Sequence, residues 1–593
     1  MKQPYSDRIS ALQARMAELS LDAYMVVTDD FHASEYVGDY FKCREFLSGF
    51  TGSAGTLVVS RDRADLWTDG RYFLQAREQL ADTGITLREM GQPGVPTVSE
   101  FLAETLPQDG TLGYDGRTVS SGLSARLREK LNGKNIRFSE NLDLAGELWT
   151  DRPAFPAAPI WELDVSFAGQ SRADKLKSIR EKVREAGAQT LLLASLDDIA
   201  WLLNLRGSDV SCNPVFMSYL LLSQESCTLY AAPQAVSRTL LDSLGRDGVA
   251  LRPYDAVYTD VAALPADSKL LLDENTINCA LLHAIAQNIE CVKKATPVQL
   301  AKAVKNPTEC ENIRKAHLQD GLAVTRFIHY IKKNYEGQTE LDACDKLEEF
   351  RKTGENYLYQ SFEPIAAAGA HGAIIHYEPT TESNVPLEKD NFLLLDSGGQ
   401  YLTGTTDITR TISLGTLTQE QKENYTAVLR GHLELTMIRF PHGVTGQNLD
   451  VLARAPLWER GMDFNHGTGH GVGYLLNVHE GPNGFRLRSS GAVVFEPGMV
   501  TSNEPGLYFE GKYGIRIENM ILCREVEKTE YARFLGFEAL TLVPYDRDAI
   551  LPELLTEPER RFLNEYHAKV FAALSPYLNA DETEWLRKES API

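Results

Sequence analysis

None of the eight cysteines, at positions 43, 212, 227, 279, 291, 310, 344 and 523, forms a CxxC pair. Most sit inside apolar stretches, which fits reduced, buried thiols and excludes both a disulfide scaffold and a zinc cage. Basic charge is also scarce: 60 Lys and Arg face 82 Asp and Glu, a formal net charge of −22. Such a chain repels phosphate backbones, and no Lys/Arg block overrides this locally, so nucleic acid is not an expected partner. No apolar run approaches the ~18 residues that span a bilayer. The polar start Met-Lys-Gln-Pro-Tyr-Ser-Asp-Arg is followed by no small-residue cleavage site. The expectation is a cytoplasmic protein without membrane association.

At 593 residues the chain exceeds the ~250–300 at which a single core stops growing, and two to four domains are expected. Residues 7–19 have a helical period, with Ile9, Leu12, Met16 and Leu19 on one stripe, and Ala23–Thr28 reads as a strand. The turn cluster Phe50–Gly55 then precedes two short strands, Thr56–Ser60 and Ala64–Thr68. The same order recurs: a helix over 173–186, strand-like Thr190–Ala194, the segment Asp197–Asn204, and a strand pair at Ser218–Ser223 and Cys227–Ala231. Two such segments, joined by the Pro-rich Asp151–Pro159 linker, suggest duplicated α/β domains. Neither carries a dense set of metal ligands or a nucleophile beside a base, so their expected roles are structure, assembly and restriction of access. Trp67-Thr-Asp-Gly-Arg-Tyr72 reads as a tight turn.

Near residue 300 the pattern changes. Pro307 opens a long helix reaching Asn334, a second helix is expected around Glu340–Arg351, and from 360 the chain turns to strands and Gly-rich loops. Within Phe464-Asn-His-Gly-Thr-Gly-His-Gly-Val-Gly-Tyr474, glycines alternate at 467, 469, 471 and 473. Each would cost a helix ~1 kcal/mol, so His466 and His470 are not a helical i, i+4 zinc-protease pair. Alternating glycine fits an extended segment that another backbone or a ligand approaches closely, one wall of a catalytic cleft. His479 follows in Val-His-Glu-Gly-Pro.

Carboxylates complete the pattern. Phe392–Asp396 is a buried-type strand ending in an acid, and the next strand starts near Asp407. If the two pair with Asp396 opposite Asp407, their Cβ atoms lie about 4.5–5.5 Å apart and repel unless a cation intervenes. Either aspartate alone would be explained by turn capping. Glu504 ends another apolar strand in Asn-Glu-Pro-Gly, and Gly514–Leu522 alternates so that Arg516 and Glu518 share a face of a mostly apolar run. Asp396, Asp407, Glu504 and Glu518 bring four negative charges, enough for two divalent cations, and His470 completes an oxygen-rich set suited to Mn²⁺. Two metals ~3.5–4 Å apart would hold and activate a hydroxide. His376, His466 and His479 would then donate hydrogen bonds and carry protons.

These residues, with Ile375-His376-Tyr377 and Arg-Ile-Glu-Asn around Glu518, resemble the pita-bread metallopeptidases, and among them the long three-domain aminopeptidase P family. The resemblance covers nearly the whole chain, including Phe50–Gly55, Trp67–Phe73, Asp198–Gly207 and the tail near Trp585. It implies an α/β (α+β) architecture: creatinase-like domains at 1–155 and 156–306, then a pita-bread catalytic domain with a helical tail at 307–593. It also implies that Asp396 binds one metal, that Asp407 and Glu518 bridge, and that His470 and Glu504 bind the other. Two Mn²⁺ ions, a homodimer, and release of the residue before a proline in second position follow from the same likeness. So does a cleft lined by His376, His466 and His479, with Arg516 steadying the carboxylates. Asn503 departs from the pattern, standing where an acidic residue is common, and is not an expected ligand. Three other readings compete: a prolidase, limited to Xaa-Pro dipeptides; a methionine aminopeptidase, which would lack the duplicated half; and a metal-free pita-bread binding protein. Thr556 and Glu559 have capping-box spacing and open a final helix with Phe562, Tyr566, Val570 and Leu574 on one stripe.

Overall fold

The order of elements read twice in the first half folds twice into the same sheet. A computed structural model describes residues 4–488 and 491–593, leaving the first three residues of the polar start outside the described residues. The first six-stranded sheet runs Ile85–Glu89, Ala64–Thr68, Thr56–Ser60, Ala23–Val27, Thr111–Gly113, Arg137–Ser139. The second runs Val249–Arg252, Cys227–Ala231, Ser218–Ser223, Thr190–Leu193, Lys269–Leu272, Glu290–Lys293. Matching pairs have matching senses: the central strand is antiparallel to one neighbour and parallel to the other in both. Both sheets belong to one compact unit, Met1–Asp164 with Gln170–Val298. The helix expected over 7–19 is Tyr5–Glu18, burying Ile9, Leu12 and Met16, while Leu19 ends up exposed. Asp69 accepts the Arg71 N–H at 3.1 Å, which makes Trp67–Tyr72 the turn its Asp-Gly pair suggests.

The second unit comprises Gln299–Ile593 with the short segment Val165–Gly169. Helix Pro307–Asn334 starts at a capping box between Asn306 and Glu309, with proline in its first turn, and buries Ile313, Ala316, Ala323, Phe327 and Ile331. Strand Asn391–Ser397 lies between Ile365–Ala368 and Ile408–Leu414 in a three-stranded antiparallel sheet. Its apolar run is continuous because both faces are covered. Leu393 and Leu395 pack with Phe327 and Ile331 of the long helix, while Leu394 packs with Ile365 and Tyr377. A six-stranded sheet runs Arg439–Pro441, Arg533–Ala539, Asn519–Lys528, Val500–Asn503, Gly469–Gly471, Glu480–Phe485, and Gly506–Phe509 pairs with Tyr513–Arg516 as a hairpin. Helix Glu557–Leu574 begins at the expected Thr556/Glu559 capping box and buries Tyr566, Val570 and Leu574 in the same core as Ile515 and Ile517.

Two local expectations change. Asp396 faces Thr409, so Asp407, two residues away, is its diagonal neighbour on the same face. The strand read as Gly514–Leu522 is broken: the hairpin strand ends at Arg516 and the sheet strand begins at Asn519. Ile517 and Glu518 form the break because the Glu518 N–H donates to the Thr409 carbonyl at 3.1 Å, turning this stretch toward the strand that carries Asp407.

Candidate metal centre

Asp396 and His470 sit within strands, Asp407 and Glu504 one residue outside a strand, and Glu518 in the break between two, and these strand ends bring four acids and one imidazole together. Ile515 and Ile517 pack in the core, while Arg516 reaches Asp396 and Glu518 accepts from the Thr409 hydroxyl. Among the described residues, Asp407, His470 and Glu518 have potential ligand atoms within 4.8 Å of one another. His470 Nε2 lies 3.5 Å from Asp407 Oδ2 and 3.4 Å from Glu504 Oε1. Asp396 enters through Arg516, whose Nη2 donates to its Oδ2 at 2.7 Å. All five residues expected to hold metal therefore converge on one place, with Arg516 beside them. Neither N-terminal sheet contributes to such a cluster among the described residues.

The glycines around His470 have a specific use. A Cβ on Gly469 would overlap the Ser502 carbonyl oxygen, and one on Gly471 the Glu480 carbonyl oxygen. The close approach is by neighbouring strands, and it lets His470 stand between Val500–Asn503 and Glu480–Phe485. The extended segment is short, Gly469–Gly471; the chain before it bends and is held by Arg454, which donates to the Phe464 and His466 carbonyls at 2.7 and 2.8 Å.

Electrostatics favour a bound cation. Burial pushes the Asp407 carboxyl well above its usual range, and Asp396 and Glu504 push it further, with Arg516 opposing. Burial likewise raises Glu518, reinforced by Asp407, Asp396 and Glu504. Glu504 is pushed up to about 7, mainly by burial, with Arg516 opposing and Asp396 adding. Buried Asp396 Oδ1 has no hydrogen-bond partner among the described residues. His470 Nδ1 donates to the Gly471 carbonyl at 2.9 Å, which orients the ring so that Nε2 is turned toward Asp407 and Glu504. The donor set of carboxylates and one imidazole fits a pair of hard divalent ions.

A profile of metallopeptidase family M24 matches residues 311–525, and one for the C-terminal region of this peptidase matches 533–593. Creatinase/prolidase N-terminal domain profiles match 8–147 and 151–309. Aminopeptidase P2 of Arabidopsis thaliana is 38% identical, covering 99% of this chain and 88% of that protein. The chain belongs to the aminopeptidase P branch of metallopeptidase family M24. An X-prolyl aminopeptidase from Caenorhabditis elegans, described as cytosolic with a di-nuclear active site, superposes with a TM-score of 0.95 at 34% identity and full coverage of both chains. The prolidase from Pyrococcus horikoshii superposes with a TM-score of 0.50 at 26% identity, over 63% of this chain and 99% of its own. No helix among the described residues of this M24 chain is long and apolar enough to cross a membrane.

Of the three other histidines expected to line the cleft, His479 has its ring edge-on to His470 at 4.2 Å. The adjacent Glu480 is buried against Lys305 Nζ at 2.5 Å and Lys302 Nζ at 3.5 Å. His466 Nδ1 donates to the Gly467 carbonyl at 2.7 Å, and its Nε2 accepts the Tyr508 hydroxyl proton at 2.8 Å. Tyr508 in turn accepts from Arg516 Nη1 at 2.9 Å, tying His466 to the Asp396 side. His376 is half-buried on the loop after the turn Gly369–Ala373, which packs on the backbone of Gly514 in the strand carrying Arg516.

Sequence reasoning missed three participants. Tyr508 links His466 to Arg516; Thr409 donates to Glu518 Oε2 at 2.8 Å. Arg410 is buried behind Glu518, donating to its carbonyl at 2.6 Å and to that of Thr409 at 2.9 Å. Asp407-Ile-Thr409 alternation carried a signal for Thr409; Tyr508, reached through a hairpin, had none. The Asn503 side chain points away from the centre, donating to the His432 carbonyl and Thr436 hydroxyl at 2.8 and 2.9 Å.

Proposed function

We propose that this chain is a metal-dependent aminopeptidase that hydrolyses the bond between an N-terminal residue and a proline in second position. The observation carrying this reading is the convergence of Asp396, Asp407, His470, Glu504 and Glu518 on one buried, anionic place. Full-length relatives named aminopeptidase P support the substrate class. In this reading Asp396, Asp407, His470, Glu504 and Glu518 would hold two Mn²⁺ ions, Asp396 on the side of one, His470 and Glu504 on the side of the other, and Asp407 and Glu518 serving both. Bound there, such ions supply Lewis acidity and lower the pKa of coordinated water.

The protein's own groups supply the rest. Glu504 takes the proton of the attacking water and returns it to the leaving proline nitrogen. His479 donates to the oxyanion as the scissile carbonyl becomes tetrahedral. His376 lines the cleft, and Arg516 holds Asp396 in place while Tyr508 connects it to His466. An Xaa-Pro bond has no N–H, so a protease that grips its substrate there fails on it, whereas this site needs no such grip.

The domain divisions 1–155, 156–306 and 307–593 are proposed with this function, as are a homodimer and a cytoplasmic location; the creatinase and M24 profile matches support the divisions. A prolidase is the competing reading. It is disfavoured because the P. horikoshii prolidase matches 63% of this chain, whereas the C. elegans aminopeptidase matches all of it. Assaying Xaa-Pro against Xaa-Pro-Xaa-Xaa peptides with Mn²⁺ tests the proposal. Turnover of the longer peptides, abolished by Glu504→Gln and Asp407→Asn, is expected; turnover of dipeptides alone, or unchanged turnover in both variants, overturns it.

A further inference from the structure

One buried carboxylate outside the metal centre gathers four donors from the segment around His376, one at the end of strand Ile365–Ala368 and three beyond it. Glu340 opens helix Glu340–Arg351 and is 0% exposed. Its Oε1 accepts the Ala368 N–H at 2.8 Å and His371 Nδ1 at 2.9 Å. Its Oε2 accepts the Tyr377 hydroxyl at 2.7 Å and the Val385 N–H at 3.3 Å. The helix start does not need this side chain, since Thr339 and Asp342 already form its capping box. The position in the first turn does favour a negative charge.

The four donors bracket His376. Ala368 and His371 precede it, Tyr377 is its immediate neighbour, and Val385 lies where the loop returns to the helix. The His371 ring packs on Tyr377 at 4.4 Å, so the two side-chain donors also brace each other. Between the anchors, a Cβ on Gly372 would stand 2.8 Å from the Gly514 nitrogen, which presses the turn onto the strand that ends in Arg516. The loop is thus fixed from one side by Glu340 and from the other by the Arg516 strand.

We infer that Glu340 is a positioning residue for His376, setting where that imidazole stands relative to the carboxylate cluster without touching substrate or metal. The inference rests on the reading of His376 as a cleft residue of the aminopeptidase. Glu340→Gln keeps the shape but turns an amide NH2 toward two donors, which releases one side of the loop.

The test compares wild type, Glu340→Gln, His376→Ala and the double variant as manganese-loaded enzyme on an Xaa-Pro-Xaa-Xaa peptide, with melting temperature and metal content measured on each. For Glu340→Gln we expect kcat to fall roughly 10–100-fold, the scale of a misplaced catalytic group, with KM and metal content little changed. In the His376→Ala background the same change should have no further effect on kcat. Tyr377→Phe, which removes one donor, should give a smaller fall that also vanishes in that background. It serves if Glu340→Gln does not fold. Wild-type kcat in folded Glu340→Gln, or a loss that multiplies with that of His376→Ala, overturns the inference. Wild-type kcat in His376→Ala overturns the reading beneath it, and the inference with it.

Discussion

Glu504→Gln separates the electrostatics of the empty cluster from its chemistry. In metal-free protein the Glu504 carboxyl is pushed from 4.5 to about 7 by burial, with Asp396 adding and Arg516 opposing. Because the folded value lies above the unfolded one, the folded state keeps its proton over a range where the unfolded chain has lost it. Its contribution to stability is full below pH 4.5 and is lost as pH rises through about 7. At ~1.4 kcal/mol per pH unit the whole interval is worth about 3 kcal/mol. Glutamine escapes this cost. Metal-free Glu504→Gln should therefore be more stable than metal-free wild type at pH 8 by about 3 kcal/mol. In the unit spanning Gln299–Ile593 this corresponds to a melting temperature roughly 5 °C higher, at ~2 cal/mol/K of unfolding entropy per residue. The difference should close near pH 4.5, and Mn²⁺ should reverse it at pH 8, because the variant has lost a ligand. Melting followed by circular dichroism at pH 4.5 and 8, with EDTA and with Mn²⁺, measures all three. A metal-free variant no more stable than wild type at pH 8, or a gap that persists at pH 4.5, refutes the reasoning.

Other perturbations reach the remaining parts of the account. Tyr508→Phe cuts the link between His466 and Arg516 and removes a hydroxyl bonded to a buried guanidinium, which costs ~1.5–3 kcal/mol for a charged hydrogen bond. We expect kcat/KM to fall about 10–100-fold with metal content preserved, as steady-state kinetics and elemental analysis would show. Gly469→Ala drives a Cβ into the Ser502 carbonyl and should displace His470. Metal affinity measured by equilibrium dialysis should drop tenfold or more, as loss of a well-placed ligand does. Thr556→Ala removes a capping box far from the centre and should cost ~1 kcal/mol in denaturant unfolding without altering kcat.

The candidate site was legible in the sequence where local pattern and burial coincide. The Asp396 strand is apolar because both its faces are covered, so an acid at its end stood out. Arg516 and Glu518 stood out as charges alternating with core isoleucines, although the strand breaks between them. The break was invisible because it depends on a hydrogen bond from Glu518 to Thr409, more than a hundred residues away in the chain. The Asp396–Asp407 register was missed for a related reason. The residues between them form strands Gly399–Tyr401 and Gly404–Thr405 of a separate sheet, and no turn signal fixes a pairing across that excursion. The duplicated sheets were legible because each repeats a strand order, whereas Glu340 and Tyr508 act through long-range contacts that leave no periodic mark.

The most direct measurement is anomalous diffraction from crystals of the manganese-loaded protein, recorded at the manganese edge. Two peaks per chain are predicted, one bounded by Asp396, Asp407 and Glu518 and the other by Asp407, His470, Glu504 and Glu518. No peak among these side chains, or manganese held elsewhere while the five point apart, would contradict the account.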